Sequence, residues 1–176
     1  MSTTENEIVN RVAQSKLITL DIDELLPLIP IVHLDILSFS EGGLLREKVF
    51  REQIKNHDWS QYRGKIVNVY CGDEAIVPLW AYMIVGAELG GNAELVISCE
   101  KNEATRTSVL QRIEQMDLDH LTDKPVVLKG CNRPDIGPEA YVILAHRIQG
   151  IASSLLFGEA CSSVPVYKKK KPTRSS

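Results

Sequence analysis

The stretch that decides the fold runs from residue 66 to residue 98. It reads Ile66-Val-Asn-Val-Tyr70, then Cys71-Gly-Asp-Glu74, then Ala75-Ile-Val-Pro-Leu-Trp-Ala-Tyr-Met-Ile-Val-Gly-Ala-Glu-Leu-Gly-Gly-Asn-Ala93, then Glu94-Leu-Val-Ile-Ser98. A short β-branched run, a helix-length apolar segment ended by paired glycines, and a second short apolar run spell strand, helix, strand. The same period continues downstream. Residues 104–116 carry Val109, Ile113 and Met116 at helical spacing, and Pro125-Val-Val-Leu-Lys129 is strand-like. Pro138 opens a further helix, where proline suits the first turn. Tyr141, Leu144, Ala145 and Ile148 form its stripe, Gly150 ends it, and residues 151–157 supply a fourth strand. Strands alternating with helices of about 12 residues predict an α/β fold: a mostly parallel sheet built from βαβ units over residues 65–160.

Upstream the pattern is less regular. Residues 5–14 suit a short helix with Ile8, Val9 and Val12 on one side, and residues 17–20 suit a strand. Ile31-Val-His-Leu-Asp-Ile36, beyond Pro27 and Pro30, reads as another strand. In residues 43–57, Leu44, Leu45, Val49, Phe50 and Ile54 make an amphipathic helix. Trp59 and Tyr62 follow as packing residues in a connector. Residues 1–62 are expected to be an α+β segment packed on the 63–167 core, adding strands or covering a face. Together they would make one α/β domain, 1–167, with residues 168–176 as a basic flexible tail. The segment 76–89 is apolar nearly all round, which predicts burial on two sides, by the sheet and by the N-terminal segment or a second copy in a homodimer.

Composition sets the outer bounds. With 176 residues, 44% apolar and 24% charged, and only 11 glycines and 8 prolines, the chain is globular rather than collagen-like, coiled-coil or wholly disordered. The net charge of −3 hides an uneven distribution, because Lys168, Lys169, Lys170, Lys171 and Arg174 sit in a tail with no acid. The remaining body is acidic, which argues against nucleic-acid binding, since that affinity rests on neutralising phosphates. The longest uncharged apolar run, between Glu74 and Glu88, falls short of the roughly 17–25 residues that span a bilayer. No basic residue precedes Arg11, so a secretory leader is not expected. A cytoplasmic chain with reduced thiols follows. Neither a phosphate loop nor a G-x-G-x-x-G is present, so no nucleotide cofactor is expected.

Cysteine placement carries the functional reading. Cys71, Cys99, Cys131 and Cys161 recur at intervals of about one βαβ unit, roughly 30 residues. Each falls at or just past the carboxyl end of an expected strand, the edge where open α/β sheets bind ligands. Asp73, Glu74, Asp135 and Glu159 share those loops. Thiolates and carboxylates on one edge suit zinc or iron, or a thiol that carries sulfur as a persulfide. No short C-x-x-C pair is present, so only the fold could gather such ligands. The competing reading is plain packing, since unoxidised cysteine is among the most buried residue types. His33, His57, His120 and His146 form no ligand motif, and the acids Asp21, Asp23 and Glu24 are explained by helix capping.

Asn56-His-Asp-Trp-Ser-Gln-Tyr62, Val77-Pro-Leu-Trp-Ala-Tyr-Met83, Lys129-Gly-Cys131, Phe157-Gly-Glu-Ala-Cys-Ser162 and Val164-Pro-Val-Tyr-Lys-Lys-Lys-Lys171 together resemble one bacterial family, the domain-of-unknown-function family 2480, over nearly the whole chain. The resemblance implies a genomic association with iron–sulfur cluster assembly, and cysteines matching Cys71, Cys131 and Cys161 but not Cys99. The leading expectation is therefore a thiol-rich site that binds zinc or iron or handles sulfur. Its ligands would come from Cys71, Cys131, Cys161, Asp73 and Glu159, with a protein partner in iron–sulfur metabolism. The rival is a non-catalytic adaptor with structural cysteines. An enzyme using Cys131 as nucleophile ranks below both, because no base or oxyanion arrangement is legible.

Overall fold

The structure is a computed structural model and describes residues 17–72, 75–159 and 161–170. In chain order the elements are β1 (Ile18–Asp21), α1 (Ile22–Leu25), β2 (Ile31–Asp35), α2 (Glu47–Asn56), β3 (Ile66–Tyr70) and α3 (Leu79–Leu89). They continue with β4 (Leu95–Ile97), α4 (Ala104–Gln115), β5 (Pro125–Lys129), α5 (Pro138–Gln149), β6 (Ser154–Glu159) and β7 (Ser162–Lys168). The expected helix at 5–14 lies outside the described residues.

The α/β class and the parallel strands are as the sequence predicts, but the strands are shared between two sheets, in the orders β1-β5-β6-β7 and β2-β3-β4. All pairs are parallel except β6 with β7. The described residues correspondingly form two compact units, one from 17–26 and 113–170, the other from 27–112. The N-terminal segment contributes one strand to each sheet. β1 pairs with β5, placing Ile18 beside Val126, and β2 pairs with β3, placing Ile31 beside Ile66.

In the 27–112 unit, β3 is the middle strand. Ile66, Val67, Asn68 and Val69 are all buried, as a parallel strand covered on both faces requires. Asn68 is the polar member of that run. Its Nδ2 donates to the Cys99 carbonyl (3.0 Å) and its Oδ1 accepts from the Cys99 amide (3.1 Å), so the buried amide is satisfied at both ends. Beside this sheet, Phe39 packs edge-on to Phe50 and stacks with Trp59, and Phe50 meets Trp80. The Trp59 indole donates to the Ile54 carbonyl at 3.0 Å. Both connector aromatics, Trp59 and Tyr62, are therefore core residues, as expected.

α3 differs from expectation twice. It begins at Leu79 rather than 76, because Pro78 sits extended at its N-cap and biases Val77 away from helix. Among the described residues it is also covered on one side only. Ala81, Val85 and Leu89 are buried, while Leu79 and Met83 remain 80% and 73% exposed. An apolar composition states what a helix can bury, not what arrives to cover it.

In the other unit, β5 is central, with Val126, Val127 and Leu128 buried. α5 starts with Pro138 in its first turn and ends at Gly150, burying Ala140, Leu144 and Ile148. The Arg147 guanidinium, on the same helix, donates to the carbonyls of Ile113 and Met116 at the end of α4. β7 is an edge strand that the sequence reading does not contain. It tolerates Pro165 because an edge position can lack an amide donor. Lys168 closes it, and Lys169 is held by its amide on the Ser153 carbonyl and by Nζ on Asp123, both at 2.9 Å.

Asn68→Ala leaves the half-buried Cys99 amide without its acceptor. It is expected to lower the unfolding free energy, measured in urea, by about 1–3 kcal/mol. Cys99→Ala, which keeps both backbone bonds, should cost clearly less.

Candidate functional site

All four cysteines sit at strand ends, and none is in a disulfide. Cys71 directly follows β3 and Cys99 follows β4. Cys131 follows β5, and Cys161 lies in the turn joining β6 to β7. Cys71 and Cys99 thus belong to the 27–112 unit, and Cys131 and Cys161 to the other. Among the described residues, no three His, Cys, Asp or Glu side chains gather to hold a metal ion. Cys71, Cys131, Cys161 and Glu159, the described members of the expected ligand set, therefore form no such group. Asp73 lies outside the described residues. Glu159 instead faces Lys129 across β5 and β6 at 3.8 Å.

Three thiols have well-defined settings. Cys99 is clamped through its backbone by Asn68, and its sulfur lies 3.6 Å from the same side-chain oxygen. That is the environment of a structural residue. Cys71 sits where β3 turns out of the sheet. The next residue, Gly72, donates its amide to Asp35 at 3.3 Å, and a Cβ on Gly72 would lie 2.5 Å from the Asp35 carboxylate. A side chain there would have to displace the Asp35 carboxylate. Cys71 and Asp35, together with burial as the larger cause, raise the pKa of Tyr82.

Cys131 has the richest surroundings. β5 delivers it to the carboxyl edge of the sheet, and α5 returns Tyr141 to the same point. The Cys131 amide donates to the Tyr141 hydroxyl oxygen (3.1 Å), and the sulfur lies 3.9 Å from that oxygen. With a lone pair engaged by the amide, the hydroxyl proton can turn toward the sulfur. Two residues on, the Arg133 guanidinium is gripped by Asp135, with Nε 3.1 Å from Oδ1. It also lies 3.7 Å from Asp23 and donates to the Leu26 carbonyl. The bond to Asp135 is the main reason that Arg133 holds its proton more tightly than usual, and Asp23 and Cys131 add to it. Burial raises the Tyr141 pKa, and Cys131 works in the same direction through its side chain. On the other side of Tyr141, the Phe157 ring packs edge-on at 5.6 Å. The same ring crowds Gly130, where a Cβ would sit 3.0 Å from it. Together these contacts place one half-buried thiol beside a hydroxyl, near a fixed positive charge, at the rim of an apolar wall.

The sequence reading includes Cys131 but not its partners. Tyr141 reads only as part of an apolar helical stripe, and Arg133 has no motif. The available signal was local, since Arg133 and Asp135 lie in the same loop as Cys131.

Tyr62, Tyr82 and Tyr141 all have raised pKa values, burial being the largest cause in each. Above a pH of about 10, where an ordinary phenol ionises, the unfolded chain releases protons that the folded chain keeps, so folding stability falls as pH rises. Urea denaturation between about pH 9 and 11 should show this decline. Tyr141→Phe should make it shallower, and an unchanged slope would assign the raised pKa no role.

No curated protein and no solved structure matches the sequence. Of the family models, the one described as "Protein of unknown function (DUF2480)" matches residues 6–169, nearly the whole chain. No helix among the described residues is long and apolar enough to cross a membrane. The family match spans both sheets and all four cysteines, and the chain belongs to this family.

Proposed function

We propose that this chain handles sulfur, with Cys131 as its working thiol. The observation that carries the reading is the pairing of Cys131 with Tyr141, which fixes the thiol's backbone and sets a hydroxyl 3.9 Å from the sulfur. A sulfur carrier needs one accessible, positioned thiol. Resident zinc needs about four ligands, a set that the described residues gather nowhere. The step is a thiol–persulfide exchange. The Cys131 thiolate attacks the outer sulfur of a donor persulfide, R–S–SH, the donor's S–S bond breaks, and R–S⁻ leaves. Cys131 then carries the persulfide with no net oxidation. The Tyr141 hydroxyl can donate to the anionic sulfur before and after transfer, and Arg133 keeps positive charge nearby. The association with iron–sulfur assembly implied by the family resemblance supplies a destination for that sulfur.

The test exposes the reduced protein to glutathione persulfide under anaerobic conditions and maps the gain of one sulfur atom peptide by peptide. Cys131 should be modified ahead of Cys71, Cys99 and Cys161. Cys131→Ser should abolish the gain, and Tyr141→Phe should slow it several-fold. Equal uptake at all four thiols, or uptake at Cys161 alone, would sink the reading. Stoichiometric zinc or iron in anaerobically purified protein, lost in Cys131→Ala, would favour the metal site instead.

α3 favours a second reading, a partner-binding chain whose partner is another copy of itself. Leu79 and Met83 are exposed in an uncharged stripe of α3 that continues into Gly86 and Ala87, and Ile76, 99% exposed, precedes the helix in the same uncharged stretch. Two such helices crossing antiparallel about Met83 would set Leu79 against Ala87, bulky against small, as an isologous contact requires. Small residues let helix backbones approach, and no charge would be desolvated. Sedimentation should show a concentration-dependent dimer that Met83→Glu converts to monomer. A wild-type monomer at all concentrations would exclude it.

A further inference from the structure

The apolar wall beside Cys131 is one side of a cavity of about 470 Å³. α5 contributes Tyr141 and Ala145, and the strands contribute Leu128, Leu156, Phe157 and Val166. It lies wholly within one unit and falls in the range of about 300–1,000 Å³ typical of small-molecule sites. Among the described residues no charged side chain lines it, and the one polar side-chain group is the Tyr141 hydroxyl, which is bonded to the Cys131 amide. The same tyrosine therefore faces the cavity with its ring and holds the thiol with its oxygen. Phe157 and Val166, 40% and 51% exposed, leave apolar surface there for a guest to cover.

We infer that this cavity seats the apolar body of a small sulfur-bearing molecule, an aryl or alkyl thiol or persulfide, with its sulfur directed to Cys131. A charged or strongly hydrated body gains nothing from the cavity itself, because no side chain in the lining would replace its lost water. The orientation follows from the lining, since its polar side-chain group is the Tyr141 hydroxyl, and the Cys131 thiol lies 3.9 Å from that oxygen. The inference rests on the reading of Cys131 as a working thiol for the identity of the guest's head, but not for the existence of the seat.

Two measurements on the full chain separate these. The uncharged fluorophore N-phenyl-1-naphthylamine reports on the seat alone. Its fluorescence should rise and saturate with wild type and be lost in Ala145→Trp, which fills the cavity, or in Leu156→Phe should the first variant fail to fold. Alkylation of Cys131 by N-phenylmaleimide and N-ethylmaleimide, mapped by mass spectrometry, reports on its link to the thiol. After correction for each reagent's rate with free glutathione, the phenyl reagent should be favoured at Cys131 by roughly tenfold or more, the scale of apolar-pocket discrimination. The preference should be absent at the exposed Cys161 and lost in the filled variant. Absence of saturable probe binding overturns the seat, whatever the reactivity of Cys131. Probe binding with equal corrected rates overturns the direction of the guest toward Cys131. Probe binding with a Cys131 inert to both reagents and to persulfide leaves the seat standing and removes the sulfur-handling reading.

Discussion

Two strands, β3 and β5, are buried along both faces, and the rest of the architecture follows from satisfying them. A parallel strand covered above and below has no water to meet its amides and carbonyls, so it requires a hydrogen-bonded neighbour on each side. β3 takes β2 and β4, and β5 takes β1 and β6. β2 and β1 both come from the N-terminal segment, which is therefore divided between the two sheets instead of lying across one. The same pairing sends four cysteines, evenly spaced in sequence, to the edges of two separate sheets.

What distinguishes the thiols is the polar chemistry around each. Asn68, fully buried in the middle of β3, uses both ends of its amide to hold the backbone of Cys99, a satisfied network that rigidifies a core. Asp35 braces the turn after Cys71 through the amide of Gly72, where a side chain would displace the Asp35 carboxylate. Cys131 is different in kind. Its amide is held by a side chain from the following helix, its sulfur stays near a hydroxyl, and its loop carries an arginine locked by Asp135. That combination positions a thiol and leaves it half-buried.

The molecule also keeps apolar surface that its own described residues do not cover, on α3 and in the cavity between α5 and its strands. Scattered exposed apolar residues are ordinary, but a continuous uncharged helical stripe and a concave apolar wall beside a thiol are not. Each has a shape that narrows its occupant: a narrow uncharged helix face in one case, a small open apolar hollow in the other.

Local pattern alone determined most of the elements. The alternation of short β-branched runs with helical stripes placed β3, β5 and α5 within a residue or two, because each signal lies within a dozen consecutive residues. Pro138 and Gly150 marked the ends of α5, and the aromatic residues of the 57–62 connector were legible as core. Strand partnership, by contrast, is a long-range choice. Ile18 beside Val126 and Ile31 beside Ile66 leave no periodicity to read, so the two sheets came only with tertiary structure. β7 was hidden by Pro165, which suits an edge strand but interrupts a strand pattern, and its last residue, Lys168, reads as the start of a tail. The position of Cys131 at a strand end was visible in the sequence. Its pairing with Tyr141, the bracing of Arg133 and the adjoining cavity were decided only when α5 folded back onto β5 and β6, because hydrogen bonds and concavity depend on distance in space.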